Sequence, residues 1–257
     1  MQRIIFQKQV SKGSRFNQIY IPKEFNNRIQ PGDIVQIKLV KKQIHLFYSD
    51  KMIKLSNYKK DLIKKIFSFL TKKGIKQILI VGSFLYKIVG YNDIDIVIIT
   101  KKKYPKLESQ LINEFNQKFH LIFYNETELK KIYKSDPIQR TMLNYFVSNQ
   151  LIKLPKKKEF DKKLIEYYLM LPEDLLNVVL PFNQFKKNIK RLVTMEIFLD
   201  NKKLDINKIN NETEKLTKDI IIEDFDYPNK SQIKTIRKII KNKLKIVKNR
   251  LWTKEKA

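Results

Sequence analysis

Cysteine is absent from the chain. That excludes disulfides, thiolate nucleophiles and cysteine-ligated zinc. Histidine occurs only at His45 and His120, too few for a histidine-rich metal centre. No nucleophile elbow or histidine pair marks a general acid–base hydrolase. No apolar run approaches the roughly 20 residues needed to span a bilayer. The N-terminus shows neither the apolar segment nor the cleavage site of a signal peptide. A cytoplasmic protein with no membrane partner is therefore the expectation. Glycine is scarce, at 5 residues, so the few present mark turns that need them.

Negative charge is the other shortage. Asp and Glu number 26 against 54 Lys and Arg, a formal net charge of +28. No fold requires that excess, which creates a positive surface potential and favours a polyanionic partner. A general bias toward Lys, Ile and Asn, with many lysines merely solvated, is the alternative. What is present otherwise suits a folded chain. The hydrophobic fraction is 42%, with 16 Phe and 12 Tyr among 257 residues, enough for one large domain or a few small ones.

Three regions separate, at residues 1–50, 51–154 and 155–257. The first reads as strands: RIIFQKQV, a turn at SKGSRFN, QIYIP, a brief helical KEFNNRI, the turn QPGD, and a hairpin-like IVQIKLVKKQIHLFY. So small a unit has little core of its own and is expected to pair with a second copy. The second region alternates helix and strand, an α/β pattern. Leu55, Tyr58, Leu62, Ile66 and Phe69 recur at helical spacing. Gly74 caps that helix, and KQILIVG reads as a buried strand. SFLYKIV, DIDIVII, a helix near Lys106–Phe115, FHLIFY, and helices at Glu126–Tyr133 and Pro137–Asn149 follow. The third region reads as helices at Glu159–Met170, Pro172–Leu180, Phe182–Leu199, Asn210–Ile220 and Lys230–Trp252. The last carries Ile233, Ile236, Ile240, Leu244, Val247 and Leu251 on one stripe. Lys234, Arg237, Lys238, Lys241, Lys245 and Lys248 lie around it, a pattern that suits a phosphate backbone or a packed terminal helix with a solvated face.

The chemistry concentrates between Gly82 and His120. Asp93 and Asp95 are two apart on an expected strand, so their carboxylates face the same way. Such a pair repels itself unless a divalent cation lies between. Oxygen ligands and phosphates suit Mg²⁺. Upstream, Gly82-Ser83 follows a hydrophobic strand and opens a short helix whose amides can hold a phosphate. Metal plus amide cradle is what phosphoryl transfer requires.

The run ILIVGSFLYKIVGYNDIDIVII resembles the signature of the polymerase-beta-like nucleotidyltransferase superfamily in its minimal form. That signature is a hydrophobic strand, Gly-Ser, a short linker and Asp-hydrophobic-Asp. The resemblance implies transfer of a nucleoside monophosphate from an NTP to a hydroxyl. Gly82 and Ser83 would hold the triphosphate, and Asp93 and Asp95 would bind two Mg²⁺ or Mn²⁺ ions. The family's third carboxylate belongs at the second position of FHLIFY, where this chain has His120. His120 as the base, Glu108 or Glu126 as a substitute, and a site that binds without turnover all stay open. The segment VSKGSRFNQIYIPKEFNNRIQPGDIVQIKLV resembles the swapped-hairpin fold of AbrB-like transcription factors. Ile21-Pro22-Lys23-Glu24 and Pro31-Gly32-Asp33 stand in its register. That resemblance implies a homodimer and makes Lys8, Lys12 and Arg15 candidate DNA phosphate contacts. It favours DNA over RNA.

The expected fold is thus an α/β nucleotidyltransferase-like domain with an N-terminal swapped-hairpin β domain and a C-terminal basic helical region. The expected function is metal-dependent nucleotidyl transfer, associated with nucleic acid, to a nucleic-acid or protein acceptor. The alternative is a non-catalytic DNA- or RNA-binding regulator with a degenerate site. The charge alone generates one testable outcome. The chain is expected to bind duplex or structured nucleic acid at micromolar or lower concentration, with affinity falling steeply between two salt concentrations in an anisotropy titration. Binding indifferent to salt would contradict it.

Overall fold

The computed structural model describes residues 5–38, 43–50, 53–86, 91–220, 222–223 and 226–255. The chain forms a small N-terminal β-hairpin, a mixed α/β region and C-terminal helices. It divides into two compact units, Met1–Gln43 and Ile44–Ala257.

In the first unit, β1 (Ser11–Lys12) pairs antiparallel with β2 (Asn17–Gln18). The turn between them closes through Gly13 N–H donating to the Phe16 carbonyl at 3.0 Å. Glycine is needed there because a side chain would strike that same carbonyl. A 3-10 turn spans Lys23–Phe25, and Phe6 stacks on Phe25 with ring centroids 5.2 Å apart. The sequence suggested far more strand than this. Of QIYIP only Gln18 pairs, with Ser11; residues 5–10 and 34–38 are irregular, and KEFNNRI winds only as the 3-10 turn and a following turn. Residues 1–4 and 39–42 of the expected strands lie outside the described residues. A strand persists only where a neighbour completes its ladder. Apolar residues of the expected hairpin face solvent instead: Ile34 is 100% exposed and Ile37 69%.

The second unit is built on a five-stranded sheet. In spatial order it holds β3 (Phe47–Tyr48), β7 (Val147–Ser148), β4 (Gln77–Val81), β5 (Ile94–Ile99) and β6 (Phe119–Tyr124). Only β5 and β6 run parallel. Phe47–Tyr48, expected in an N-terminal hairpin, joins this sheet through β7. Alternation along the strands sends side chains to opposite faces. Ile78, Ile80, Ile94, Ile96 and Ile98 face α1 (Asn57–Lys72) and α2 (Leu107–Phe115). Leu79, Val81, Val97 and Ile99 face α3 (Glu126–Ser135) and α4 (Pro137–Leu143). Caps legible in the sequence set the helix starts: Ser56 for α1, an Asn125–Glu128 capping box for α3, and Asp136 with Pro137 for α4. Gly74, at φ 82°, ends α1. The helix expected over Pro137–Asn149 stops at Leu143. Its remainder turns back because Val147 and Ser148 pair with both β3 and β4, sheet pairing overriding helix propensity.

The C-terminal helices are α5 (Lys162–Asp174), α6 (Phe182–Leu199), α7 (Ile206–Thr217) and α8 (Lys230–Glu255). No separate helix begins at Pro172, which α5 runs through. Phe185, Ile189, Leu192, Val193, Ile236, Ile240 and Val247 form a shared core. Directional bonds tie these helices to the α/β region. Asn144 accepts from Tyr133 Oη at 2.7 Å and donates to the Leu204 carbonyl at 2.9 Å. Tyr168 Oη donates to Asp136 at 2.7 Å, while the other oxygen of Asp136 caps α4. Burial and the Asp136 charge hold the Tyr168 phenol far above its ordinary value. Among the described residues no helix is long and apolar enough to cross a membrane.

Candidate functional site

Strand β4 ends at Val81, which pairs with Asp95 of β5. Gly82 then turns with φ 78°. Two constraints select glycine: the left-handed backbone, and the Asp95 carboxylate, onto which a Cβ would fall. The segment Ser83–Leu85 winds as a single 3-10 turn. A longer helix was expected from Ser83, and its end at 87–89 lies outside the described residues. So short a turn offers its first amides as donors but no helix dipole of consequence. Lys59 braces the turn from α1. It is buried, donates to the Phe84 carbonyl at 2.5 Å, and lies over the Phe84 and Tyr91 rings. Burial pushes its ammonium pKa down.

Asp93 stands one residue before β5 and Asp95 is its second residue. Strand alternation gives Asp95 the face of Val97 and Ile99, the side covered by α3 and α4. His120 lies opposite Asp95 in the parallel register of β6. Its Nδ1 is 2.9 Å from Asp95 Oδ1, with the imidazole 59% exposed and the carboxylate 20%. When Nδ1 donates this bond, the neutral ring keeps its lone pair on Nε2. Burial raises the Asp95 pKa, the His120 hydrogen bond opposes that rise, and the Asp93 charge adds to it. Burial and then the Asp95 charge raise the Tyr86 phenol. Asp93 and Asp95 carry hard oxygen donors, the ligand type that divalent cations take. Among the described residues no three His, Asp or Glu side chains are grouped around one metal position. Glu108 lies in the first turn of α2 and Glu126 at the start of α3, outside any such group.

Beside Gly82 opens a cavity of about 260 Å³. Tyr86, Met142 and Tyr145 line it with Lys187, Lys190 and Arg191 of α6. These cations were not singled out in the sequence. Their spacing at i, i+3 and i+4 would have marked one helix face, but nothing local says which element that face meets.

The basic residues picked from sequence separate by environment. Lys12 lies on β1 and Arg15 in the turn after it, and both, like Lys8, are exposed. On α8, Lys234, Lys238, Lys241 and Lys245 are exposed. Lys248 instead pairs with Glu173 at 2.5 Å, and half-buried Arg237 donates to the Val178 carbonyl at 3.3 Å.

Comparison with protein-family models, curated proteins and solved structures found no match to this chain.

The buried carboxylate generates a stability test. A pKa raised in the folded state means the folded chain holds that proton to higher pH than the unfolded chain. Its stabilising share is full below the ordinary aspartate value and is lost as pH rises through the raised one. Ionised Asp95 therefore costs stability at neutral pH. Asp95→Asn is expected to raise the melting temperature at pH 7 in chelator, with the gain shrinking as pH falls through the raised value and gone below the ordinary aspartate value of about 4. A lower melting temperature at pH 7 would contradict the desolvation argument.

Proposed function

We propose that the chain is a metal-dependent nucleotidyltransferase of the polymerase-beta-like kind, acting on a hydroxyl of an acceptor associated with nucleic acid. The observation that carries this reading is the contact of Asp95 with Gly82. It joins the carboxylate pair to the amide turn, so one bound triphosphate can meet both. Asp93 and Asp95 would hold Mg²⁺ or Mn²⁺, which when bound neutralises phosphate charge and polarises the phosphoryl group under attack. The turn at Gly82 and Ser83 orients the triphosphate through its first amides and the Ser83 hydroxyl. His120 stands where a base is needed: Asp95 orients its Nδ1, leaving Nε2 to take the proton from the acceptor hydroxyl as that oxygen attacks the α-phosphorus and pyrophosphate leaves.

The second reading is a nucleotide- or nucleic-acid-binding regulator without turnover. It is favoured by the imidazole at the position where the resembled family carries a carboxylate. The AbrB-like reading of the first unit belongs to both. Its support is the motif register together with exposed Val10, Phe16, Ile34 and Ile37, apolar surface that a second copy's hairpin would cover. Exposed Lys8, Lys12 and Arg15, and the exposed lysines of α8, supply phosphate contacts that position without specifying sequence.

Two measurements test this. In a transfer assay with labelled NTP and DNA, RNA or protein acceptors, Asp93→Asn is expected to abolish both metal-dependent NTP binding and transfer. His120→Ala is expected to slow transfer about 10²–10⁴-fold with NTP affinity nearly kept. Full transfer by Asp93→Asn would remove the reading. In light scattering, the full chain is expected to be a dimer at micromolar concentration and a chain beginning near Ile44 a monomer. A monomeric full chain would defeat the AbrB-like assignment.

A further inference from the structure

The cavity beside Gly82 has a chemical asymmetry. Its lining includes Gly82, which the Asp95 carboxylate backs. It also includes Lys187, Lys190 and Arg191 of α6. Among the described residues no Asp or Glu lines the cavity. The position of these cations follows from the amphipathic character of α6. Phe185, Ile189, Leu192 and Val193 are buried in the helical core, which turns the cationic face away from that core and toward the cavity. The helix cannot drift from the site, because α4 packs against it and Ile138, Thr141 and Met142 of α4 line the same cavity. Lys187 and Arg191 together give a recess whose described lining holds no carboxylate a positive potential that attracts an anion.

We propose that α6 forms the second half of the nucleotide site, with Lys187, Lys190 and Arg191 holding the terminal phosphates of the triphosphate. The inference rests on the transferase reading for the identity of the ligand and extends it to a helix that neither sequence resemblance covers. The size argues for a small polyphosphate. About 260 Å³ lies at or below the lower end of the usual small-ligand range of about 300–1,000 Å³. It admits a phosphate chain and leaves the nucleoside outside. Arg191 offers a planar fork to two phosphate oxygens, whereas the lysines act as point charges. The C-terminal helices are then part of the site, with α6 closing it.

Calorimetric titration of the full chain with inorganic tripolyphosphate in chelator reads these cations without the metal. Wild type is expected to bind. Lys187→Ala and Arg191→Ala are each expected to weaken binding about tenfold, and the double variant further. Arg191→Lys should recover part of the loss. Exposed lysines of α3 serve as the control, and Lys130→Ala/Lys131→Ala is expected to leave binding unchanged. Lys187 is exposed, so that variant keeps the test decisive if Arg191→Ala fails to fold, which thermal melting detects. Unchanged affinity in Lys187→Ala and in the folded double variant overturns the proposal. So does an equal loss in the α3 control, which would mean a diffuse positive field. A single-stranded oligonucleotide arm separates the other phosphate source: loss of strand binding with tripolyphosphate affinity intact would make the recess an acceptor path and overturn the proposal. The Asp93→Asn/Asp95→Asn variant should bind metal-free tripolyphosphate at least as tightly as wild type. Absence of transfer alongside the expected tripolyphosphate results would count against the transferase reading while leaving the α6 site standing.

Discussion

The Asp95 carboxylate rests against the bare backbone of Gly82, and the rest of the candidate site depends on that contact. It fixes the position of the carboxylate against the turn that opens at Gly82. No other residue at position 82 would permit it, since both the positive φ and the close approach exclude a side chain. Around this point the structure is braced from three directions. Val81 and Asp95 are held in register by the β4–β5 ladder, His120 takes the second Asp95 oxygen from β6, and Lys59 supports the turn from α1. Buried lysine, desolvated aspartate and left-handed backbone each cost stability, and such costs cluster where geometry serves a ligand.

The positive charge of the chain is not one resource. Part of it is structural. Lys243 is buried on α8 and pairs with Glu196 at 2.7 Å, and Arg250 reaches Glu196 at 3.0 Å and Asp200 at 3.1 Å. These bonds clamp α8 onto α6, and removing one partner would strand a buried charge. Part lines the recess next to Gly82. A further part is solvated, for instance on the hairpin unit and along the outer face of α8, where screening leaves it to long-range attraction of polyanions. Such pairs cancel within the net charge of +28, so the excess resides on cations outside these clamps.

Element type was legible where burial and local signals agreed. The apolar runs of β4 and β5, the stripe of α8 and the Gly74 stop all read correctly, because each depends on residues a few positions apart. Failures fell where a distant partner decides. The segment Tyr145–Ser148 reads as helix but completes the sheet, and Phe47–Tyr48 reads as a local hairpin but pairs with β7. The strands expected near Ile34 lack a ladder within one chain.

For the site, the sequence by itself determined its raw chemistry: the alternation that gives Asp93 and Asp95 one face, the glycine before Ser83, the absence of cysteine, and a histidine where the resembled family has a carboxylate. Only the tertiary structure decided that His120 meets Asp95, that Gly82 touches the same carboxylate, and that α6 brings Lys187, Lys190 and Arg191 to the recess beside them. The reason is physical. Periodicity and capping are short-range properties written in neighbouring residues, whereas strand register and helix docking are settled by which apolar faces bury each other across most of the chain.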